Sequence, residues 1–279
     1  MEAREAAWLQ KKIGVISTSE VDKLLSKSGK WTDGNKTYLY KIERQRYLKQ
    51  PAPPLNTRSI NLGNENEPYA VAWLRENRSA IIRHCDSDYP EKIFIVTDFG
   101  LGCSPDAYEV DIIELRNEQG AAVAVTEKKL ALIEIKVVVG EEPTNFYFSP
   151  TVPKERKRLR AFGEHREQMA GQLLAHPDID TVRLMKYDPQ LDDNEFDLRP
   201  VLDKTRGIVF DFTRAEFGSY LDEMKERVKF ADQYLNSGAD IDLIDKAWTE
   251  YLKTKQGTQG GTDTTVPDPG IPYTLTESK

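Results

Sequence analysis

Four residues of the chain stand in an order that suits phosphodiester hydrolysis. Glu67 lies in GNENEPYAVAWLREN, and Asp106 follows Ser104 and Pro105 just ahead of a β-rich run. Glu134 and Lys136 flank one residue inside the strongly apolar run LIEIKVV. Carboxylates hold one or two hard divalent cations through oxygen, Mg2+ above all, with Mn2+ as a substitute. The cation polarises the scissile phosphate and lowers the pKa of a water, while a lysine helps to place that water. Taken singly, Glu134 with Lys136 reads first as an ion pair on a half-exposed strand, and Asp106 as a turn cap. Joined in this order they favour a metal site, because a buried carboxylate cluster is costly unless a cation neutralises it.

The elements that must position these residues are legible from periodicity. In LIEIKVV the side chains alternate, so Glu134 and Lys136 share a face with Leu132 while Ile133, Ile135 and Val137 take the other. The runs KIFIV, AYEVDIIEL, AVAVT and ALIEIKVVV read as neighbouring strands of one sheet, with Asn117 to Gly120 as a turn. Between Gly63 and Asn77 a helix is expected, with Pro68 near its first turn and Glu67 on the stripe of Ala70, Val71 and Leu74. In STSEVDKLL, Ser17 and Glu20 have capping-box spacing, so a helix starts at Ser17 or Thr18 with N–H groups that would attract an anion. A later helix from about Glu164 to His176 carries His165, Gln168 and Gln172 along one edge. Strands TVRLMKY and GIVFDF follow, separated by an acidic loop from Asp188 to Asp197, and the chain closes on two helical stretches.

Composition excludes several classes. The 279 residues carry a net charge of -7, so any DNA groove must be locally basic. The densest candidates are Lys154, Arg156, Lys157, Arg158, Arg160 and Arg166, with Lys11 and Lys12 beside them; a solvated helix face fits the same charges. Two cysteines are too few for a disulfide scaffold or a four-cysteine metal site. His84, His165 and His176 lack zinc-ligand spacing, and no Gly-rich loop ends in Gly-Lys-Ser or Gly-Lys-Thr. Trp8, Trp31, Trp73 and Trp248 read as core or interface residues rather than base-stacking platforms. No apolar run or leader-like N-terminus is evident, so a cytoplasmic location is expected. One domain over residues 1–254 is expected, followed by a flexible Gly/Thr/Pro-rich tail over 255–279.

From Trp8 to Gly238 an ordered set of segments resembles one family: KIGVISTSEV, GNENEPYA, GCSPDAY, LIEIK, a Gln-bearing helix and KYDPQ. These resemble the YqaJ-type viral recombinases, the family of phage lambda exonuclease within the PD-(D/E)XK nucleases. The resemblance implies an α/β fold with a restriction-endonuclease-like core, a central mixed β-sheet flanked by helices. It implies a two-metal site in which Asp106, Glu134 and the carbonyl of Ile135 bind magnesium. Glu67 would serve the second ion, Lys136 would activate water, Gln168 would stand on the catalytic side, and Gln172 would contact the DNA. Lys12, Ser19 and Ser104 match the positions that hold a 5′ phosphate. Family members digest one strand of linear double-stranded DNA from the 5′ end, releasing 5′-mononucleotides and leaving 3′ overhangs for a single-strand annealing protein in phage-type recombination. They commonly form ring-shaped homotrimers.

The chain departs from the lambda enzyme at three places. Lys12 stands where that enzyme has arginine, so a bidentate clamp becomes a point charge. Gln168 and Gln172 are four apart rather than two. The connection from Asp106 to Glu134 is longer, which suggests an extra hairpin around Arg116 to Glu127, either lining a DNA channel or lying on the surface. The same core also serves endonucleases, and a catalytically silent DNA-binding protein could keep the fold.

Overall fold

The computed structural model describes residues 2–25, 29–53, 57–116, 122–190 and 205–258. Helix α1 (Glu2–Lys11) leads into strand β1 (Ile16–Ser17) and a 3-10 turn (Thr18–Leu24), followed by α2 (Asp33–Leu48) and α3 (Arg58–Asn77). Strands β2 (Ile81–His84), β3 (Ile95–Val96), β4 (Leu101–Cys103), β5 (Ala107–Arg116) and β6 (Ala122–Val137) come next. Helices α4 (Glu141–Phe148) and α5 (Lys154–Ala175) cross over to β7 (Thr181–Asp188) and β8 (Arg206–Thr213). The described chain ends with α6 (Arg214–Phe217), α7 (Tyr220–Asn236), a 3-10 turn (Ile241–Leu243) and α8 (Ile244–Thr258).

Five strands form the central sheet in the order β2-β5-β6-β7-β8. Only β6 and β7 run parallel; the other neighbours are antiparallel, so the sheet is mixed as expected. The parallel pair requires the long crossover that α4 and α5 supply. A second sheet, β1-β4-β3, sits beside it. The run KIFIV therefore belongs to this smaller sheet, contrary to its sequence assignment. AVAVT and ALIEIKVVV are one continuous strand, β6, and the expected turn at Asn117 to Gly120 lies outside the described residues.

Strand alternation sorts the core into two layers. Leu132, Val182, Leu184, Phe210 and Phe212 pack on the face that α5 and α7 cover. Ile133, Ile135, Met185 and Tyr187 pack under Ala70, Val71 and Leu74 of α3. Beyond Val110 strand β5 has no β2 partner, and before Leu132 strand β6 has no β7 partner. The outer halves of β5 and β6 thus leave the sheet as a two-stranded arm with Leu115 and Val125 exposed. It is the extra hairpin anticipated from the longer connection, and its two strand edges are open.

Several boundaries differ from expectation for identifiable reasons. Glu20 is drawn to Lys41 (2.8 Å) and Lys23 instead of returning to the Ser17 N–H. The capping box does not close and the segment is a 3-10 turn. Helix α3 starts at Arg58, capped by Thr57, whose hydroxyl accepts the Ile60 N–H, which leaves Pro68 inside the helix and not in its first turn. Helix α5 begins at Lys154, ten residues early, because Pro153 opens it and the Lys157 ammonium is buried on the Ser149 carbonyl at 2.8 Å. Helix α8 runs to Thr258, so the first residues assigned to the tail are helical; the rest of the tail and most of the acidic loop lie outside the described residues.

Helix α3 is seated on the sheet by a close contact at Gly207 of β8. A Cβ there would fall 2.8 Å from Met185 Cε and 2.9 Å from the Trp73 ring. Gly207→Ala should lower stability by about 1–3 kcal/mol through overpacking. Urea unfolding checks this, and an unchanged midpoint would mean that Trp73 moves freely.

Candidate active site

The site is built where β4 hands over to β5. Leu101–Cys103 belongs to the small sheet and Ala107–Arg116 to the large one, so Ser104, Pro105 and Asp106 span the seam. Asp106 is anchored by its backbone, whose carbonyl accepts the Cys85 N–H at 2.9 Å. Its Oδ2 accepts the Ile135 N–H at 2.6 Å, just past the point where the β5–β6 ladder ends at Ala107 and Ile133. A residue's N–H and C=O leave a strand on the same side. The Ile135 carbonyl therefore faces the Asp106 side, beyond the ladder that would otherwise use it.

Glu134 projects from the face of β6 that α5 covers, the face of Leu132, and is almost fully buried, at 2% exposure. Its carboxylate is surrounded by donors. Lys136 Nζ lies 2.5 Å from Oε1, Gln168 Nε2 donates to Oε1 at 2.6 Å, and Gln172 Nε2 donates to Oε2. The four-residue spacing of the glutamines puts both on one face of α5, one turn apart. Both therefore reach Glu134, one at each carboxylate oxygen.

Electrostatics show what this arrangement lacks. Burial raises the Asp106 carboxyl well above the ordinary range, and the charges of Glu134 and Glu67 raise it further, against the opposing pull of Lys136 and the Ile135 N–H. Burial pulls Lys136 down, but Glu134, Asp106 and Glu67 outweigh it and leave the lysine above its usual value. Lys136 is thus an ammonium that can donate and orient. Glu67 comes from α3, on the other face of the sheet, and its Oε1 lies 2.7 Å from His84 Nε2, whose Nδ1 meets Ser87 Oγ at 2.9 Å.

These residues fit a hard divalent cation by donor chemistry: two carboxylates, a carbonyl and a third carboxylate held by a histidine, with repulsion between the acids left for a cation to relieve. Among the described residues, no three His, Cys, Asp or Glu side chains already converge as a closed ligand set. Both Glu134 oxygens are engaged by donors, so an ion would take Glu134 in exchange for one of them.

The residues matched to a phosphate pocket are only partly gathered. Ser19 lines a cavity of about 220 Å³ together with Thr18, Asp22, Glu164, His165, Glu167 and Gln168. The Ser19 N–H is already given to Ser17 Oγ, and the two hydroxyls share a 2.8 Å hydrogen bond. Ser104 spends its hydroxyl proton on the Ile93 carbonyl at 2.8 Å. Lys12 lies over the Trp8 ring at 3.9 Å, with Lys92 at 4.3 Å; burial and then Lys92 lower its pKa. Much of the expected basic stretch is neutralised: Arg158 pairs with Glu216, Arg160 with Glu142 and Glu164, and Arg166 with Glu167. Lys154 and Arg156 remain exposed.

Sequence spacing misses two groups. His84 lacks ligand spacing, yet it holds Glu67. Lys186, in KYDPQ, is buried with Nζ 2.8 Å from Glu164 Oε2 and 2.7 Å from His165 Nε2. A lysine inside an apolar strand, followed by tyrosine and aspartate, was the available signal.

No protein-family model and no curated protein matches the chain. Solved structures do. An alkaline exonuclease (LHK-Exo) from Laribacter hongkongensis superposes with a TM-score of 0.52 at 19% identity, covering 91% of this chain and 98% of that one. The same enzyme in complex with dAMP matches equally. A phage-related exonuclease from Haemophilus somnus 129PT gives a TM-score of 0.51 at 15% identity, covering 81% of this chain and 96% of the other. The chain shares the mixed α/β fold of these exonucleases, the fold that its motifs led one to expect. Among the described residues no helix is long and apolar enough to cross a membrane.

Beside the carboxylates, Glu164 provides a pH handle. Burial would raise it, but Lys186, Arg160 and Tyr147 together bring it down to about 2. A carboxyl depressed in the folded state stabilises above its unfolded pKa and loses that contribution as pH falls. The Glu164→Gln variant should therefore be less stable than wild type at pH 7, with the gap closing between about pH 4.5 and 2. Urea unfolding across that range measures it; a constant gap would assign the loss to packing.

Proposed function

We propose that this chain is a Mg2+-dependent exonuclease that digests one strand of linear double-stranded DNA from the 5′ end, releasing 5′-mononucleotides and leaving 3′ overhangs. The observation that carries the reading is the buried Glu134, ringed by Lys136, Gln168 and Gln172 beside an Asp106 whose neighbours call for a cation. The shared exonuclease fold and the ordered motifs support it.

Asp106, Glu134 and the Ile135 carbonyl would hold the first ion, and Glu67, steadied by His84, would serve a second. Bound Mg2+ supplies Lewis-acid polarisation of the phosphate and a water of lowered pKa. The protein's own groups do the rest. Lys136, as an ammonium, donates to the incoming water or to a phosphate oxygen. Gln168 and Gln172 fix the rotamer of Glu134, so that one carboxylate geometry is presented. His84 does the same for Glu67, an outer contact of the kind that tunes metal affinity.

The resulting 3′ overhang is the substrate of a single-strand annealing protein, which we take as the partner in phage-type recombination. A homotrimer, acting in the cytoplasm of a bacterial host, is the working assembly that the motif resemblance supports. Lys12 and Ser19 remain the proposed 5′-phosphate contacts, with Ser104 joining them only if it releases Ile93.

Linear duplex labelled at either end, incubated with Mg2+ beside closed circular DNA, tests the reading. Early release of 5′ label with circles intact is the expected result, and Asp106→Ala should abolish it. Cut circles would make the chain an endonuclease on the same core; no cleavage at all would make it a DNA-binding protein. His84→Ala should keep the fold and lose about 10–100-fold in activity, with more Mg2+ needed for half-maximal rate. Wild-type metal dependence in that variant would remove Glu67 from the second site.

A further inference from the structure

The cavity beside Gln168 holds a group that this mechanism does not use. His165 lies on α5 one turn before Gln168 and lines the same cavity. Its Nε2 is 2.7 Å from Lys186 Nζ. An ammonium has three donors and no acceptor. Burial lowers Lys186 below the ordinary lysine value, but Glu164, 2.8 Å away, keeps it the charged partner. Nε2 must then carry the lone pair, and the single ring proton sits on Nδ1. Among the described residues none is bonded to Nδ1, and it is not among the buried polar atoms that lack partners, so it is open to the cavity.

The surroundings hold this tautomer. Burial chiefly opposes a second proton on the ring, Lys186 on β7 and Lys136 on β6 add to that opposition, Glu164 alone favours one, and His165 comes down to about 3. Lys186 is itself fixed, since Glu164 also accepts from Tyr147 Oη at 2.8 Å and from Arg160 Nε at 2.7 Å. The remaining acids of the cavity are Glu167, which is tied to Arg166 and Tyr220, and the exposed Asp22. What faces inward is a neutral N–H beside the Ser19 hydroxyl and Gln168.

We propose that His165, locked by Lys186 as the Nδ1–H tautomer, donates that proton in a hydrogen bond to a phosphate oxygen of the strand being cut. The assignment rests on the nuclease reading above. It makes His165 a substrate-binding residue and Lys186 the residue that positions it.

Two substitutions separate this role from a structural one. Asparagine places an amide N–H near the Nδ1 position but gives up Lys186. Glutamine keeps an acceptor for Lys186 but offers no donor at Nδ1. His165→Asn should stay within about threefold of wild-type kcat/KM, while His165→Gln should lose about tenfold, mainly in KM. A loss confined to 5′-phosphorylated duplex would place the contact on the terminal phosphate, and an equal loss on 5′-hydroxyl duplex would place it on an internal one; either supports the proposal. The reverse order of the two variants, or no loss in either, would overturn it. Nitrogen-15 NMR of the wild-type imidazole gives a readout independent of activity. A protonated Nδ1 that shifts on titration with a 5′-phosphorylated duplex, in the absence of metal, is expected, and a protonated Nε2 would refute the tautomer. If wild-type protein degrades no DNA, the nuclease reading fails first, and the NMR result still stands or falls alone.

Discussion

The burial of one carboxylate in the middle of an apolar strand governs the rest of the architecture. Removing an ion from water costs several kcal/mol even after relaxation, and the cost is repaid only when every lone pair finds a donor. Glu134 sits between Ile133 and Ile135 at the centre of the sheet, where solvent cannot help. Strand alternation provides Lys136 two residues on, but the other donors must come from outside the strand. Helix α5 supplies them from Gln168 and Gln172, which fixes both the height and the rotation of that helix over β6. A helix held in this way has little freedom elsewhere. Gly171, whose Cβ would come within 3.0 Å of Thr18 Cγ2, marks how closely the 3-10 turn is then drawn against it.

The same constraint explains why part of the site can be read from the chain and part cannot. Glu134, Lys136 and Asp106 are legible because their signals are local: two charges inside an apolar alternation, and a Ser-Pro-Asp turn ahead of a strand. The two glutamines are legible as a helical edge. His84 is not, because its meaning depends on β2 pairing with β5 and on α3 crossing that pair, which brings together residues 17 positions apart with no common periodicity. Lys186 fails for a similar reason: its partners Glu164 and His165 lie on the crossover helix that precedes its strand. The basic stretch is ambiguous in sequence for the opposite reason. Residue type allows a phosphate-binding face or a solvated helix face, and only the fold shows Glu142, Glu164, Glu167 and Glu216 set against its arginines.

The fold was legible at the level of layers and less so at the level of sheets. The apolar runs located β5 to β8 of the central sheet and the helices α3, α5 and α7 packed on it, but not the four-residue strand β2. The three short strands of the second sheet have two or three residues each, too few to carry a period. Yet that small sheet matters to the site, because the passage from β4 to β5 places Asp106 at the seam between the sheets. A longer, regular strand through residues 101–116 would put Asp106 in the ladder, with its neighbours' backbone groups paired to β6. The break leaves the Ile135 N–H to the Asp106 carboxylate, with the Ile135 carbonyl turned to the same side.

Helix α5 ties these features together through geometry more than through sequence distance. Positions 165, 168 and 172 follow the three- and four-residue steps of one helical stripe, so a single rigid element aims an imidazole and two carboxamides into the same region. Its flank is pinned by ion pairs that leave the local arginine and glutamate charges balanced, and Lys186 is balanced by Glu164. Asp106 and Glu67 are different. Lys136 is already committed to Glu134, so the described side chains leave more negative charge at the seam than they offset. A protein can relieve such an excess by protonating an acid or by binding a cation. The proposed function takes the second course: a backbone N–H on Asp106, a histidine on Glu67 and two carboxamides on Glu134 each fix the direction of an oxygen that a cation would use.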